Sequence, residues 1–519
     1  MSESQNRTLP QGWCQVEIDE VAEIVTGNTP PKNDPQNYGS SYPWVRPPDL
    51  GSYAPILDTP QQLSEKGAAF ARLLPPGAVL VSCIGTLGRV GIAGTTLATN
   101  QQINSLVFSN GMEPRYGFYF CQTLGEWLTA NSSATTIAII NKSRFSNAPF
   151  LLAPTKEQTR IVAEIERQFT RLDAAVAALR RVHANLKRYR AAVLKAACEG
   201  RLVPTEAELA RKEGRSYETG EQLLARILKE RRFRWESDQL AKMRTRGSAL
   251  NNRDHWKKYE EPQPPDATKL PSLPEDWTWA TVRQVGQVQL GRQRAPQHHK
   301  GEHMRPYLRV ANVFEDRIDI SDVLEMNFTP SEFRTYQLHD GDILLNEGQS
   351  LELIGRPAIY RNQFPGACFQ NTLVRFRANP GVEPRYALAV FLSYLHNQRF
   401  QQIAKWTTNI AHLGAERFAE LEFPLPPTDE QIRIADTVED RVSLLRHMEI
   451  IAAINSRRAD RLRQSILKRA FEGKLVPQDP SDEPASVLLE RIRTERARAI
   501  QEPSQFRPRR KAKVAVEVS

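Results

Sequence analysis

Two copies of one sequence pattern follow each other along this chain, and this duplication constrains the fold more than any other feature. Leu9–Trp13 (LPQGW) returns as Leu273–Trp277 (LPEDW), 264 residues later. Glu113–Tyr116 (EPRY) returns unchanged as Glu383–Tyr386, at an offset of 270. Ordered matches along both halves indicate a tandem duplication of one structural unit.

The offset between the copies drifts over the first part of each copy and is constant over the second. We match Ile103–Leu106 with Gln370–Leu373, at an offset of 267, whereas the offset stays at 273 throughout Pro154–Pro204. A drifting offset marks insertions, and a constant one indicates that length is constrained. Each copy, about 9–204 and about 273–477, therefore joins a variable module to a module of fixed length.

The fixed-length module has the pattern of a long helix. Thr155 is the predicted N-cap, with Gln158 three residues later as a capping box, and Gly200 followed by Pro204 ends the helix. At 1.5 Å per residue, about 43 residues give a rod of roughly 65 Å. Apolar residues recur three or four apart, at Ile161, Ile165, Phe169, Leu172, Val176, Leu179, Leu186 and Val193.

The second copy repeats this helix from Thr428, with Gln431 in the box position, to Gly473. Its apolar stripe consists of Ile434, Val438, Val442, Leu445, Met448, Ile451, Leu462 and Ile466. A narrow stripe on so long a helix favours pairing with another long helix, and we expect the two copies to pair as an antiparallel coiled coil. A single solvated helix is the alternative, but it does not need the stripe.

The variable modules have short apolar runs interrupted by Gly and Pro, such as Ala78–Val81 and Ile343–Leu345, with helical stretches at 115–130 and 385–405. This pattern predicts an α+β (mixed α/β) fold for each. Leu223–Ile227 resembles Leu488–Ile492, which predicts a short charged helix after each rod.

The predicted boundaries are 1–153 and 271–426 for the variable domains, 154–204 and 427–477 for the long helices, 205–270 for short helices and a Pro-rich linker (Glu261–Pro265), and 478–519 for a short helix and a basic tail (Arg507–Lys511).

Composition and missing motifs restrict the function. The formal net charge is +10, which mildly favours an acidic polymer as partner. The five cysteines are scattered without a C-x-x-C pair, and the N-terminal residues lack an apolar signal region, so we expect a cytoplasmic protein. The sequence has no P-loop, no G-x-G-x-x-G and no N-P-P-[YF] or D-P-P-Y methyltransferase motif.

Two remaining features are interpreted as structural. Glu472-Gly473-Lys474, with its counterpart Glu199-Gly200-Arg201, stands at a helix end and indicates capping rather than a nuclease site. His298, His299 and His303 lack helical spacing and have no counterpart in the first copy, so we expect a surface loop rather than a metal site. Neither a catalytic site nor a metal site is predicted.

The order of these features resembles the specificity subunit of type I restriction–modification systems. The resemblance covers nearly the whole chain and rests on Pro426–Gln431 (PPTDEQ) and Ala153–Gln158 (APTKEQ) at the helix starts. Supporting segments are the LP-x-x-W openings, Gly27–Pro30 (GNTP), Gly85–Arg89 (GTLGR) and Ile466–Lys468 at a rod end. Ala153 departs from the usual proline, and Gly291-Arg292-Gln293 lacks the Thr-Pro of the first copy.

The resemblance implies a non-catalytic subunit of a site-specific deoxyribonuclease and adenine-specific DNA methyltransferase complex. The partners would be double-stranded DNA, two copies of the modification (methyltransferase) subunit and a restriction (endonuclease and translocase) subunit. S-adenosylmethionine, ATP and Mg²⁺ would belong to those partners. Each variable domain would be a target recognition domain that reads one half of a bipartite DNA sequence. A fused type IIG-like enzyme and a coiled-coil scaffold without sequence-specific DNA binding remain as alternatives.

Candidate DNA contacts are loop residues of the types that reach phosphates and base edges, namely Arg, Lys, Asn and Gln. In the first domain they are Arg46, Arg89, Asn100, Gln101, Gln102, Asn141 and Lys142. In the second domain they are Arg309, Asn346, Gln349, Arg356, Gln370 and Asn371. Gln370, Asn371 and the pair Asn141-Lys142 could equally serve as structural turns or as partners of strand-end backbone groups.

Overall fold

The computed structural model describes residues 9–133, 137–245, 259–407 and 410–501. The predicted basic tail, Arg507–Lys511, lies outside the described residues. None of the described helices is both long enough and apolar enough to cross a membrane.

The first variable domain is built on a four-stranded antiparallel sheet in the order β2-β9-β6-β7, with a smaller sheet in the order β3-β5-β4-β8 and the pair β1-β10. The strands are β1 (Cys14–Glu17), β2 (Ala22–Thr26), β3 (Tyr38–Gly39), β4 (Tyr42–Val45), β5 (Gln62–Leu63), β6 (Val79–Ser82), β7 (Val90–Ile92), β8 (Ala98–Thr99), β9 (Ile103–Phe108) and β10 (Pro149–Leu152). The helices are α1 (Ile18–Val21), α2 (Glu65–Ala68), α3 (Pro114–Cys121), α4 (Gly125–Ala130) and α5 (Lys142–Ser146). The apolar run that predicted a strand forms β6, which is buried on both faces.

The first long helix is α6 (Thr155–Cys198), of 44 residues. It ends as predicted, because Gly200 adopts a left-handed conformation (φ 64°) and Arg201 N–H donates to the carbonyl of Ala196. The predicted capping box is wrong. The Thr155 hydroxyl donates to the Gly111 carbonyl (3.3 Å), and the Gln158 amide binds the preceding loop instead of the helix start.

Two helices follow α6, namely α7 (Glu206–Glu213) and α8 (Gly220–Thr245). The helix predicted to be short at Leu223–Ile227 is therefore 26 residues long. The Pro-rich segment packs on the second domain, since the Pro262 carbonyl accepts from the Gln284 amide (3.3 Å).

The second variable domain repeats the main sheet as β12-β21-β17-β19, with smaller sheets β16-β13-β20, β18-β23-β22, β14-β15 and β11-β24. The strands are β11 (Thr278–Thr281), β12 (Gly286–Leu290), β13 (Met304–Leu308), β14 (Val313–Phe314), β15 (Arg317–Ile318), β16 (Leu324–Asn327), β17 (Ile343–Asn346), β18 (Gly348–Gln349), β19 (Pro357–Ile359), β20 (Cys368–Phe369), β21 (Leu373–Ala378), β22 (Lys405–Trp406), β23 (Ala411–His412) and β24 (Glu422–Leu425). The helices are α9 (Val282–Val285), α10 (Pro330–Tyr336), α11 (Pro384–His396), α12 (Arg399–Ile403), α13 (Ala415–Ala419), the second long helix α14 (Thr428–Phe471) and α15 (Ala485–Gln501).

The ladders correct one sequence match between the copies. Gly27 N–H donates to the Ile103 carbonyl, and its counterpart Gly291 N–H donates to the Leu373 carbonyl, both at 3.1 Å. Ile103 is therefore equivalent to Leu373, at an offset of 270, and the match of Ile103 with Gln370 is wrong. Short strands share many residue types, so local letter similarity placed the gap three residues away from its structural position.

The described residues form two compact units, one from 1–179 and 453–519 and the other from 180–452. Helix α6 begins in the first unit and ends in the second, whereas α14 begins in the second and ends in the first. The two long helices therefore run in opposite directions, as the sequence predicted.

The buried stripe of α14 differs in part from the predicted one. Val438, Leu445, Ala452, Ala459 and Ile466 are all buried and stand seven residues apart, which is the spacing of a coiled coil. The predicted members Met448, Ile451 and Leu462 are exposed. A stripe drawn through large apolar residues misses the two alanines, whose small side chains allow close packing.

Candidate nucleic-acid interface

In the first domain, three loops meet at one edge of the main sheet. Because neighbouring strands are antiparallel, the ends of β2 and β6 and the start of β9 lie at this edge. Asn28 N–H donates to the Thr99 carbonyl (3.0 Å), and Cys83 N–H donates to the Gln102 carbonyl (2.8 Å). We call residues 27–32, 83–89 and 99–102 the first loop edge.

A glycine is required where two of these loops touch. A Cβ atom at Gly27 would lie 2.3 Å from the carbonyl oxygens of Thr99 and Asn100, and a Cβ at Gly291 would lie 2.1 Å from the Gln370 oxygen. Only glycine permits this approach, which explains why both copies keep Gly at this position.

The first loop edge contains a cavity of about 530 Å³ with amide, cationic and aromatic side chains in its wall. The lining residues are Thr29, Lys32, Tyr38, Trp44, Arg46, Gln61, Asn100, Gln101 and Gln102. Two of these amide residues are hydrogen-bonded to each other: Asn100 Nδ2 donates to Gln102 Oε1 (3.0 Å), and Gln102 N–H donates to Asn100 Oδ1 (3.1 Å). Such amides can donate to and accept from base edges.

Four of the candidates in the first domain, Arg46, Asn100, Gln101 and Gln102, line this one cavity. Arg89 lies on the same edge: it is exposed, and its N–H donates to Ser82 Oγ (2.9 Å). The remaining pair has a structural contact of its own. Asn141 Oδ1 accepts the N–H of Arg144 (2.8 Å) and caps α5, while Lys142 is exposed beside it.

The second domain has an equivalent loop edge, formed by residues 291–292, 346–350 and 369–372. Gln370 and Asn371 are the counterparts of Asn100 and Gln101, because Arg292 N–H donates to the Phe369 carbonyl (3.1 Å) as Asn28 N–H donates to the Thr99 carbonyl (3.0 Å). Both side chains are half-buried. We call this the second loop edge.

The arginine candidates of the second domain are engaged in local contacts. Arg309 pairs with Asp322, and its N–H donates to Asn312 Oδ1 (3.0 Å), as that of Arg46 donates to Asp49 Oδ2 (2.8 Å). Arg356 donates to the Val313 carbonyl (2.6 Å) and lies 4.9 Å from the Phe314 ring centroid. Burial lowers the pKa of this guanidinium.

The two amide candidates Asn346 and Gln349 differ in exposure. Asn346 is fully buried, and neither polar atom of its side chain has a hydrogen-bond partner among the described residues. Gln349 is half-buried, and its Oε1 accepts the N–H of Ser350 (3.1 Å). Asn346 therefore lies in the core beneath the second loop edge, and Gln349 lies at the surface of that edge.

Sequence analysis missed several residues of the loop edges. Lys32 and Tyr38 line the cavity of the first domain, and the counterpart of Asn28 is a buried arginine, Arg292, which donates to Glu332 Oε1 (2.9 Å) and lies over the Phe328 ring. Lys32 follows the GNTP segment by two residues, which was the available signal. Arg292 was noted only as a departure from that segment.

The Glu-Gln pair at each helix start attaches the domain to the helix. Trp13 Nε1 donates to Glu157 Oε2 (3.0 Å), and the Gln158 amide binds the Ala153 carbonyl (2.8 Å) and the Glu113 N–H (3.0 Å). Burial raises the pKa of Glu157. This pair therefore links the domain opening, the EPRY segment and the helix.

The second copy repeats the arrangement. Trp277 Nε1 donates to Glu430 Oε1 (3.1 Å), and Gln431 binds the Pro426 carbonyl (2.9 Å) and the Glu383 N–H (2.8 Å). Burial raises the pKa of Glu430 to about 7. The segment that carried the family resemblance thus has a structural role.

Within the described ranges, no group of three or more His, Cys, Asp or Glu side chains could hold a metal ion. His299 of the histidine loop accepts from Arg294 Nε (3.1 Å). Gly473 has φ 66° and Lys474 N–H donates to the Arg469 carbonyl, so the Glu-Gly-Lys triplet caps α14 as predicted.

The chain is similar to known proteins over parts of its length. Over 169 residues it is 28% identical to the Type I restriction enzyme HindI specificity subunit of Haemophilus influenzae, covering 31% of this chain and 37% of that protein. It is also 28% identical over 202 residues to the Type I restriction enzyme EcoKI specificity subunit of Escherichia coli, covering 37% and 44%. The aligned segments thus span less than half the length of these relatives.

A solved structure and a family model extend the similarity. A chain described under "Structural basis underlying complex assembly and conformational transition of the type I R-M system" shares the fold, with a TM-score of 0.61 at 18% identity over 90% of this chain and 99% of that one. The model of the Type I restriction modification DNA specificity domain matches residues 10–177 and 274–456. The chain belongs to the family of the Type I restriction modification DNA specificity domain, and it contains that domain twice.

Proposed function

We propose that this chain is the sequence-specific DNA-binding subunit of a type I restriction–modification complex and that it recognises a bipartite DNA target. The observation that carries the proposal is the repeated loop edge, which presents amide side chains in each of two domains of the DNA specificity family, with Lys32 and Arg46 beside them in the first. Amides and arginines are the side chains that read base edges in the major groove. Two domains with different edge residues read two different half-sites.

The chain acts without catalysing a reaction itself and positions its partners on DNA. These partners are two copies of a methyltransferase subunit, and through them a restriction subunit, which bind S-adenosylmethionine, ATP and Mg²⁺. The complex works in the cytoplasm.

A surface on the long helices supports a protein partner. In the second unit, Leu444, Met448, Val182 and Tyr189 are exposed and line a groove of about 350 Å³ between α6 and α14. Exposed apolar patches of this kind mark protein interaction sites. The groove offers a contact for the methyltransferase subunit that leaves the loop edges free for DNA.

Methylation mapping tests the proposal. The chain is co-expressed with the methyltransferase subunit in a host lacking other adenine methyltransferases, and methylated adenines are mapped by long-read sequencing. We expect one bipartite motif, present only when both proteins are produced. Methylation by the chain alone would favour the fused enzyme, and a stable complex that methylates no motif would favour the scaffold.

One double variant in each domain assigns the half-sites. Gln101→Ala with Gln102→Ala is expected to relax only the first half of the motif, and Gln370→Ala with Asn371→Ala only the second. Each lost bidentate base contact costs about 1–3 kcal/mol of discrimination. Variants that relax both halves, or neither, contradict independent reading by the two edges.

A further inference from the structure

Each domain carries a hairpin that extends its loop edge by one more backbone ladder. In the first domain, Gly85 N–H donates to the Ala138 carbonyl (3.0 Å) and Ser133 N–H donates to the Ile139 carbonyl (3.0 Å). In the second domain, strand β23 pairs with β18 and with β22. We call the described residues of the two hairpins, 133 and 137–140 in the first domain and 405–407 and 410–413 in the second, the edge hairpins.

The edge hairpins are equivalent in the two copies. Ile140 N–H donates to the Cys83 carbonyl (2.8 Å), and Leu413 N–H donates to the Glu347 carbonyl (2.8 Å). This equivalence sets the offset at 273, so Ile137 corresponds to Ile410. The constant offset therefore begins before the long helices.

The corresponding isoleucines are both exposed. The exposed fraction is 56% for Ile137 and 46% for Ile410. The pair Ile-Ala is kept at this position, whereas Ile84-Gly85 beside the first hairpin is replaced by Gly348-Gln349 beside the second. An exposed branched apolar side chain that is kept where its neighbours differ indicates a role common to both domains.

The surroundings of the hairpins favour a polyanion as partner. Exposed Lys142 follows the first hairpin by two residues, and exposed Lys405 starts the second, next to Trp406, which is 60% exposed. Both hairpins continue the edge that presents the amide candidates. Proteins that bind DNA insert apolar side chains against base steps, and nearby cationic side chains neutralise the phosphates.

We propose, on the basis of the proposed function, that Ile137 and Ile410 are equivalent apolar wedges that press on a base step at each half-site without reading its sequence. The loop edges supply sequence discrimination, and the edge hairpins supply a sequence-independent contact that locally unstacks the duplex. Because the two wedges occupy equivalent positions, each contributes a similar share of the affinity.

The test uses the whole chain in complex with the methyltransferase subunit and a duplex carrying the mapped target. Ile137→Ala, Ile410→Ala and the double variant are compared with Leu57→Ala, which removes an exposed leucine beside Ile56, at the opposite edge of the main sheet. Fluorescence anisotropy measures DNA affinity, and 2-aminopurine placed along each half-site reports unstacking. Gel filtration measures assembly with the methyltransferase subunit.

We expect each single isoleucine variant to bind about tenfold more weakly, since burial of such a side chain is worth one to two factors of ten. The 2-aminopurine signal should fall in the matching half-site only, the mapped motif should stay unchanged, and Leu57→Ala should bind normally. Unchanged DNA affinity, a relaxed motif or impaired assembly with the methyltransferase subunit would overturn the wedge. A wild-type complex that binds no target would instead contradict the proposed function.

Discussion

The two units hold their domains on the long helices with different chemistry. In the first unit an aromatic contact stands beside the Arg115–Glu166 ion pair (2.6 Å): the centroid of the Phe169 ring of α6 lies 4.9 Å from that of Tyr53 and 5.8 Å from that of Tyr119. Phe169 is buried. Such ring pairs are insensitive to salt, because they depend on apolar burial and on ring geometry.

In the second unit the counterpart of Phe169 is Val442, and ion pairs surround it. Arg446 binds Asp316 (2.5 Å), and Arg385 binds Asp436 (2.7 Å). Arg190 bridges Glu315 (3.2 Å) on the domain and Glu449 (2.9 Å) on α14. This contact depends on charge, so salt weakens it.

Two equivalent arginines on the long helices make different contacts in the two units. Arg463 on α14 is the counterpart of Arg190 on α6, at an offset of 273. Arg463 pairs with the exposed carboxylates of Asp173 and Asp460 and lies 5.9 Å from the Tyr53 ring centroid. Arg190 instead pairs with the less exposed carboxylates of Glu315 and Glu449. The duplicated helices thus keep the position of the cation while the domain surface it touches has changed, and the two attachments respond differently to perturbation.

The largest effect is expected from exchange of a whole domain. Replacing residues 1–153 by the first domain of a relative should abolish methylation of the original motif and give a motif that differs in one half only. Each loop edge belongs to one domain, which is the physical reason. Long-read methylation mapping checks this, and a motif altered in both halves would show that the domains do not read independently.

The next largest effect is expected from truncating a buried side chain at each attachment. Phe169→Ala removes a buried aromatic ring and is expected to cost about 3–5 kcal/mol of unfolding free energy. Its counterpart Val442→Ala removes two buried methyl groups and should cost about 2 kcal/mol. Urea unfolding followed by hydrogen exchange in each unit measures both, and equal costs would remove the contrast between an aromatic and a polar attachment.

The fold could largely be predicted from the sequence, because duplication and helix periodicity are strong local signals. The helix ends at Gly200 and Gly473, the buried strands β6 and β17 and the opposed long helices were all predicted. The predicted Thr155 cap is wrong, since the helix already begins at Thr155 and its hydroxyl donates to a carbonyl 44 residues away in sequence. A sequence motif cannot show which of several possible partners a side chain will bind.

The candidate interface was predictable in part. Residue types in loops pointed to Asn100, Gln101 and Gln102, which the fold brings into one cavity with Arg46. Their counterparts were located only by the hydrogen-bond ladder, because the offset changes within short, divergent strands. Ile137 and Ile410 were missed since an apolar residue is usually read as core, although the repeated Ile-Ala at an offset of 273 was visible in the sequence.

Removing the equivalent arginines should give a smaller, salt-dependent difference. Arg190→Met leaves Glu315 and Glu449 without their shared cation and should cost about 1–3 kcal/mol at low salt. Arg463→Met, the matched control, should cost less, since its partners Asp173 and Asp460 are both exposed. Thermal unfolding at low and high salt measures both, and a cost of Arg190→Met that is unchanged by salt would contradict an electrostatic attachment.

The smallest effect is expected from pH, through the carboxyl that joins Trp277 to α14. Burial raises the pKa of Glu430 to about 7, above the value of about 4.3 for an unfolded chain. The folded state therefore binds the proton more tightly, and this group's contribution to stability falls as pH rises between these two values.

Charged residues next to Glu430 decide which quantity is measured and which variant serves as the control. Glu206, itself buried between Arg215 (2.5 Å) and Arg433 (2.6 Å), donates its backbone N–H to Glu430. A substitution of Glu430 therefore also changes this contact, so the quantity to compare is the slope of unfolding free energy against pH and not the absolute stability. Glu430→Gln cannot titrate and should flatten the loss of unfolding free energy between about pH 5 and about pH 8. Glu157→Gln is the matched variant in the first unit, where Asp482 pairs with Arg160 (2.6 Å) near the Trp13 contact, and it should change the slope less. If Glu430→Gln keeps the wild-type slope, another group of the second unit carries the proton, and the two attachments do not differ in their response to pH at this position.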